Sequence, residues 1–237
     1  MRPVDRGPNA TVYRKYEDAK QDLVNLLGCY CSYCERRIAT LLAVEHIQPK
    51  ARPEYAHLEK VWDNFLLGCV NCNSAKSKKP VDLASYLIPD RDNTFSAFAY
   101  DDLGMVNPAV GLSPELKRMA EDTCELVALN RMEHEEWDED VVFSALERAS
   151  QRVQAWTQAR EALADYQAGR TIPRRIAAEA ASCGFFSIWM AAFENHSEVR
   201  LALISTFPNT AADCFDPVST IPVRPRPANT LANGSKI

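Results

Sequence analysis

No run of eighteen apolar residues occurs anywhere in the sequence, which excludes a helical membrane span on length alone. No apolar stretch stands behind the charges of Met1-Arg2-Pro3-Val4-Asp5-Arg6, so no secretory signal is read there. The expected location is therefore the cytoplasm, where thiols stay reduced, and eight cysteines then argue against a disulfide framework. Internal repeats and low-complexity tracts are also missing. So is any overall excess of positive charge: the net charge is −5, which argues against broad, tight nucleic-acid binding by the whole surface.

What is present is an ordinary globular balance, with 237 residues, 46% hydrophobic and 25% charged. The charge is unevenly spread. Residues 1–80 carry 13 Lys/Arg against 9 Asp/Glu, while the remaining 157 residues carry 14 against 23. A basic face on an acidic body still permits phosphate contact.

Along the chain, residues 11–27 read as an amphipathic helix with Thr11 as N-cap and Gly28 as its stop. The run IATLLAVEHI suggests two brief strands, NCNSAKSKK a helix start, and residues 81–111 an irregular extension rich in turn residues. From Ser113-Pro114, an N-cap followed by proline at the first helical position, the pattern becomes helical. Helices are expected from there, over about 140–168 (with Val142, Ala145 and Trp156 on one face), over 173–183 before Gly184, and over Phe185–Phe193 and Ser197–Phe207. The expected architecture is α+β. It comprises an N-terminal helix and arm (1–28), a core with an irregular extension (29–111), a helical region (112–215) and a flexible tail (216–237).

Metal spacing carries the chemistry. Cys31 and Cys34 form one C-x-x-C and Cys69 and Cys72 a second, and two such knuckles can close a tetrahedral structural Zn²⁺ site. Cys29 competes with Cys31 for its place, and Cys124, Cys183 and Cys214 have no partner at ligand spacing, so they read as small core residues. Between the pairs lies Glu45-His46 with Ile47-Gln48-Pro49-Lys50 after it. Trp62-Asp63-Asn64 then leads into the second knuckle, and Asn73 and Lys76 share a face of the helix that starts there. A lone histidine is usually structural, but this one is accompanied by a carboxylate and two asparagines. The lysine run of Lys76, Lys78 and Lys79, with Lys50, reads either as a solvated face or as phosphate contacts.

CSYC, EHIQP, the W-x-N and CVNCNSAK together resemble the ββα-metal fold of the HNH nucleases over about residues 29–80. The resemblance implies His46 as general base, Asn64 as the residue that orients it, and Asn73 with Glu45 as holders of a catalytic Mg²⁺ or Mn²⁺. Asparagine stands at the last position of the motif, where an amide oxygen suits a hard cation. CSYCERR, EHIQPKARP, LIPDRDNT and GFFSIWMAAF extend the resemblance to PtuB-type nucleases of the Septu and retron antiviral defence systems. This implies a PtuA-type ATPase partner, whose contact is expected on the helical region, where Phe185, Phe186, Trp189, Met190 and Phe193 crowd nine residues. For most of these aromatics a place in the core is the stronger reading, with a second apolar face left to bury. The expected substrate is nucleic acid, DNA ahead of RNA. A non-catalytic zinc-ribbon module and a protein-interaction scaffold are the competing readings; neither needs Glu45, His46, Asn64 and Asn73 together.

Overall fold

A computed structural model describes residues 1–130 and 139–237, with the side chains of 139–145 excepted. Val142 and Ala145 lie outside the described side chains. In chain order the elements are α1 (Lys20–Leu27), β1 (Leu42–His46), β2 (Phe65–Cys69), α2 (Val70–Lys76), α3 (Thr94–Ala97), β3 (Phe98–Tyr100), β4 (Val106–Pro108) and α4 (Pro114–Leu126). There follow α5 (Glu139–Gln167), α6 (Pro173–Cys183), α7 (Phe186–Ala192) and α8 (Ser197–Thr206). The architecture is α+β, and no helix among the described residues is long and apolar enough to cross a membrane.

The helix expected over 11–27 starts later. Thr11 does not cap it; its amide donates to Asn9 Oδ1, and a 3-10 turn over Tyr16–Ala19 feeds α1 instead. IATLLAVEHI yields one strand, not two: β1 pairs antiparallel with β2, twenty residues away, in the register Leu42↔Cys69 through His46↔Phe65. Local alternation cannot report a partner that distant. Every residue of β2 is buried, so it reads as a continuous apolar run instead of an alternating one. The region expected as irregular contains α3 and the β3–β4 hairpin.

α2 begins at the last residue of β2, because Cys69 is its N-cap and the sulfur accepts from the Cys72 amide. β1, β2 and α2 thus form one compact unit. Gly68 permits its tightness: a Cβ there would stand 3.0 Å from Glu45 Cβ and 3.6 Å from Asn73 Cβ.

The C-terminal helices pack in pairs, α5 with α7 and α6 with α8. α5 presents the buried small residues Ala155, Ala159 and Ala162 at helical spacing, so α7 can approach closely. Ser113 caps α4 by accepting from the Leu116 amide, and α6 starts on Pro173, as the sequence indicated. Phe185, Phe186, Trp189, Met190 and Phe193 are all buried. They are core, the reading expected for most of them, and they leave no second apolar face exposed for a partner.

Gly184, at φ 88°, joins the two parts. A Cβ there would fall 2.8 Å from the Arg37 amide nitrogen and 2.9 Å from the Glu35 carbonyl oxygen, so only glycine fits the approach. Glu35 continues the joint: its carbonyl accepts from the Phe185 amide, and its buried carboxylate accepts from both the backbone and the hydroxyl of Ser187. The tail expected to be flexible is tied down instead. Ile237 O accepts from the Asn93 and Arg226 amides, and the buried Arg226 donates to Val4 O and Pro89 O. Prolines and scarce apolar residues suggested mobility, but backbone hydrogen bonds supply the anchors that composition lacks.

Candidate metal centre and catalytic pocket

Cys31, Cys34, Cys69 and Cys72 are buried, with their sulfurs all within 4.8 Å of one another. The Cys34 and Cys69 sulfurs are 3.7 Å apart. Zn–S bonds of about 2.3 Å in a tetrahedron place sulfurs about 3.8 Å apart, so the four are positioned to hold a metal ion, consistent with Zn²⁺. Backbone geometry aims them, since the Cys69 amide donates to Cys31 Sγ and the Cys72 amide to Cys69 Sγ. Burial pushes the Cys31 thiol up, and neighbouring thiols, Cys31 first, push Cys72 up, while hydrogen bonds from Cys31, Cys34 and Cys72 pull Cys69 far down. A divalent cation is the partner that lets such a packed set ionise together. Cys29 stays outside the cluster, which resolves its competition with Cys31.

His46 ends β1. Its Nε2 lies 2.9 Å from the Glu59 carbonyl oxygen, which can only accept. Neutral His46 therefore carries its proton on Nε2 and its lone pair on Nδ1. Tyr16 and Phe65 pack edge-on against the ring at 4.8 and 5.2 Å between centroids. Burial holds the imidazole pKa below its usual 6.5, opposed by the Glu59 carbonyl and assisted by Lys50 and Lys76, so His46 is neutral at neutral pH. His46, Glu45, Asn73, Lys50 and Tyr16 share the lining of one cavity of about 180 Å³. A larger cavity of about 570 Å³ between β4 and α4 is lined by no histidine or lysine among the described residues.

Asn64 is expected to orient the histidine, and its side-chain contacts are with the loop that follows His46. Its Oδ1 accepts from the Gln48 amide at 2.8 Å, and its Nδ2 donates to Gln48 O at 2.9 Å and Leu58 O at 3.4 Å. It clamps the two ends of the loop that brings Glu59 O to His46, and touches the ring only through that loop.

Lys76 is a correction. Expected on the surface against phosphate, it is 2% exposed, with Nζ 2.8 Å from the Glu45 carboxylate and donating to His46 O at 2.7 Å. Long stems bury readily when the ammonium finds a carboxylate and a carbonyl. Burial raises the Glu45 pKa and Lys76 opposes that rise. Asn73 is half-buried on α2 and makes no side-chain hydrogen bond among the described residues. Lys50 is partly engaged, 3.0 Å from Glu59 Oε1 and 3.6 Å from the centre of the Tyr16 ring. Lys78 and Lys79 are exposed just beyond α2.

Tyr16 and Glu59 were not singled out from the sequence. Tyr16 lies thirty residues before His46 with no motif to mark it, and Glu59 acts through a backbone atom that every residue has.

Comparison with curated proteins finds no match for the chain. Residues 31–79 match the family model described as HNH endonuclease, a segment that opens on Cys31 and holds the four cysteines, Glu45, His46, Asn64 and Asn73.

Proposed function

We propose that this chain is a metal-dependent HNH-type endonuclease that hydrolyses phosphodiester bonds, with DNA as its favoured substrate. The observation that carries the reading is His46: one nitrogen is committed to a backbone carbonyl, the other keeps its lone pair, and the ring lies in a cavity shared with Glu45 and Asn73. In this reading His46 Nδ1 takes the proton of the attacking water as the new P–O bond forms and the bond to the leaving oxygen breaks. Asn64 keeps the loop, and with it Glu59 O, in register for that proton transfer. Asn73 and Glu45 offer the oxygen donors that would hold Mg²⁺ or Mn²⁺, which when bound would neutralise charge on the leaving oxygen. Lys78, Lys79 and, through its remaining exposure, Lys50 contact backbone phosphates.

The wider resemblance to PtuB-type proteins supports an effector role in antiviral defence beside a PtuA-type ATPase. The few free lysines near the pocket fit a nuclease that relies on a partner for recognition, since affinity from few phosphate contacts falls steeply with salt. A second reading, a zinc-held module that binds nucleic acid without cutting it, draws on the ion pair of Glu45 with Lys76, which occupies one of the two metal-facing groups.

Plasmid nicking by the purified chain, with and without the co-expressed product of the adjacent gene, separates the two. Cleavage that needs Mg²⁺ or Mn²⁺ is expected, and His46→Ala should lower it about 10²–10⁴-fold, the range for losing a general base. Zinc content should not change. Cutting by His46→Ala at the unaltered rate would remove the general-base assignment, and binding without metal-dependent cutting in both preparations would favour the second reading.

A further inference from the structure

A second polar cavity, of about 360 Å³, shares no residue with the catalytic pocket. Its volume falls in the range of small-ligand sites, about 300–1,000 Å³. Three parts of the fold build it. The turn after the first C-x-x-C supplies Arg36 and Arg37, one face of α5 supplies Gln151, Gln154 and Gln158, and the end of α6 supplies Glu179. The backbone fixes these parts against one another, because Arg36 forms an antiparallel bridge with Gly184 and the Phe185 amide donates to Glu35 O.

The two arginines differ from the buried ones elsewhere. Arg2 is spent on Pro208 O and Leu27 O, Arg6 on Asp90, and Arg226 on Val4 O and Pro89 O. Neither Arg36 nor Arg37 forms an ion pair among the described residues. Arg36 Nε is buried with no hydrogen-bond partner, as are the Nε atoms of Arg91, Arg148, Arg200 and Arg226. Those four side chains donate through their other nitrogens, whereas Arg36 makes no side-chain hydrogen bond among the described residues. A buried guanidinium nitrogen left without an acceptor is costly unless a ligand supplies one. The glutamines recur at i, i+3 and i+7 and form a ladder along the face of α5 that borders the cavity, with Gln151 Nε2 donating to Glu147 Oε1, while Ala155 and Ala159 on the adjoining stripe of the helix are buried.

We infer that this cavity is a nucleotide-binding cleft, in which Arg36 and Arg37 take the phosphate and the Gln151–Gln154–Gln158 ladder reads the edge of the base. Guanidinium groups suit phosphate oxygens, and glutamine amides offer the paired donor and acceptor that base edges present. Glu179 on the cavity wall opposes the phosphate charge and limits the affinity of the cleft. The inference rests on the nuclease reading for its role, holding substrate strand away from the reacting bond. That need is real at this site, since Lys76 is buried and Lys50 is partly engaged.

The test is fluorescence anisotropy with a labelled single-stranded 12-mer of DNA, using the full chain without added Mg²⁺ or Mn²⁺. Arg36→Gln with Arg37→Gln should weaken binding about tenfold or more, the scale of two lost phosphate contacts. Gln154→Glu with Gln158→Glu, on the helix surface, should weaken it similarly, and Glu179→Gln should tighten it. Competition by dAMP separates two sources of the same chemistry. Displacement at concentrations equal to the 12-mer marks a free nucleotide as the ligand, and weak displacement marks a nucleic-acid strand. Affinity unchanged in all three variants, with zinc content and melting temperature retained, would overturn the cleft. So would displacement by oligoglutamate as effective as by DNA. Metal-dependent cleavage with an affinity indifferent to Arg36 and Arg37 removes the cleft and leaves the nuclease. Tight binding through the cleft without cleavage removes the nuclease and leaves the cleft.

Discussion

The cysteine-held segment and the helical region solve the problem of a stable interior in opposite ways. Around β1, β2 and α2 the interior is crowded with polar groups: Glu45, His46, Asn64 and Lys76 are all 8% exposed or less. Each meets a specific partner, and four buried cysteines beside them are positioned to hold a metal ion. Between α5 and α8 the interior is alanine, phenylalanine and Trp189, packed by shape. The first arrangement places polar groups with precision, holds four cysteines positioned for a metal ion, and relies on pairings that tolerate no missing member. The second depends mainly on volume, with Arg152 and Ser187 as buried polar exceptions. The joint at Gly184 and Glu35 lets the second brace the first.

The sharpest break of this contrast is metal removal. Cys72→Ser should abolish zinc binding, which contributes on the order of 10–16 kcal/mol in small zinc domains. Circular dichroism should nevertheless keep most of its helical signal, carried by α4 to α8, while elemental analysis loses its zinc. Complete loss of helicity would show the two regions to be one cooperative unit. The reciprocal variant, Trp189→Ala, should cost about 3–5 kcal/mol by cavity formation, read as a fall in denaturation midpoint with zinc content retained.

Next in size is the buried ion pair. Lys76→Met strands the Glu45 carboxylate and should destabilise the protein by about 3–5 kcal/mol, whereas replacing both Glu45 and Lys76 by Met should recover most of that loss. A double variant no more stable than the single would show that the Lys76 bond to His46 O, not the pair, holds this corner. The double variant should still lose metal-dependent cleavage.

His46 gives a pH signature of smaller size. Its folded pKa lies below the 6.5 of the unfolded chain, so the unfolded state binds more protons between the two values. Stability is full above pH 6.5 and declines as pH falls through that window. Cleavage, needing neutral His46, should have an acid limb centred below pH 6.5. A limb at or above 6.5 in the rate profile would contradict the buried, Nε2-bonded imidazole. The smallest effect is expected at Gly68, where Ala must displace Glu45 Cβ from 3.0 Å. A cost of about 1 kcal/mol, the low end for overpacking, should accompany weaker Mn²⁺ binding measured by calorimetry.

The sequence by itself determined the elements written in local code. The Ser113-Pro114 start of α4, the Pro173 to Gly184 limits of α6 and the paired C-x-x-C knuckles are set by capping, fixed φ and ligand chemistry, all acting within a few residues. It also brought forward Glu45, His46, Asn64 and Asn73. Only the tertiary structure decided what these residues touch. β1 found its partner across an eighteen-residue connection, Lys76 turned inward because a carboxylate and a carbonyl waited there, and Asn64 braced the loop whose Glu59 carbonyl meets the His46 ring. The tail was captured by backbone groups together with the Arg226 and Lys236 side chains, whose partners lie far away in the sequence. Capping and metal spacing are short-range and specific to residue type, whereas burial, pairing and the choice of hydrogen-bond partner depend on which distant segments the fold brings together.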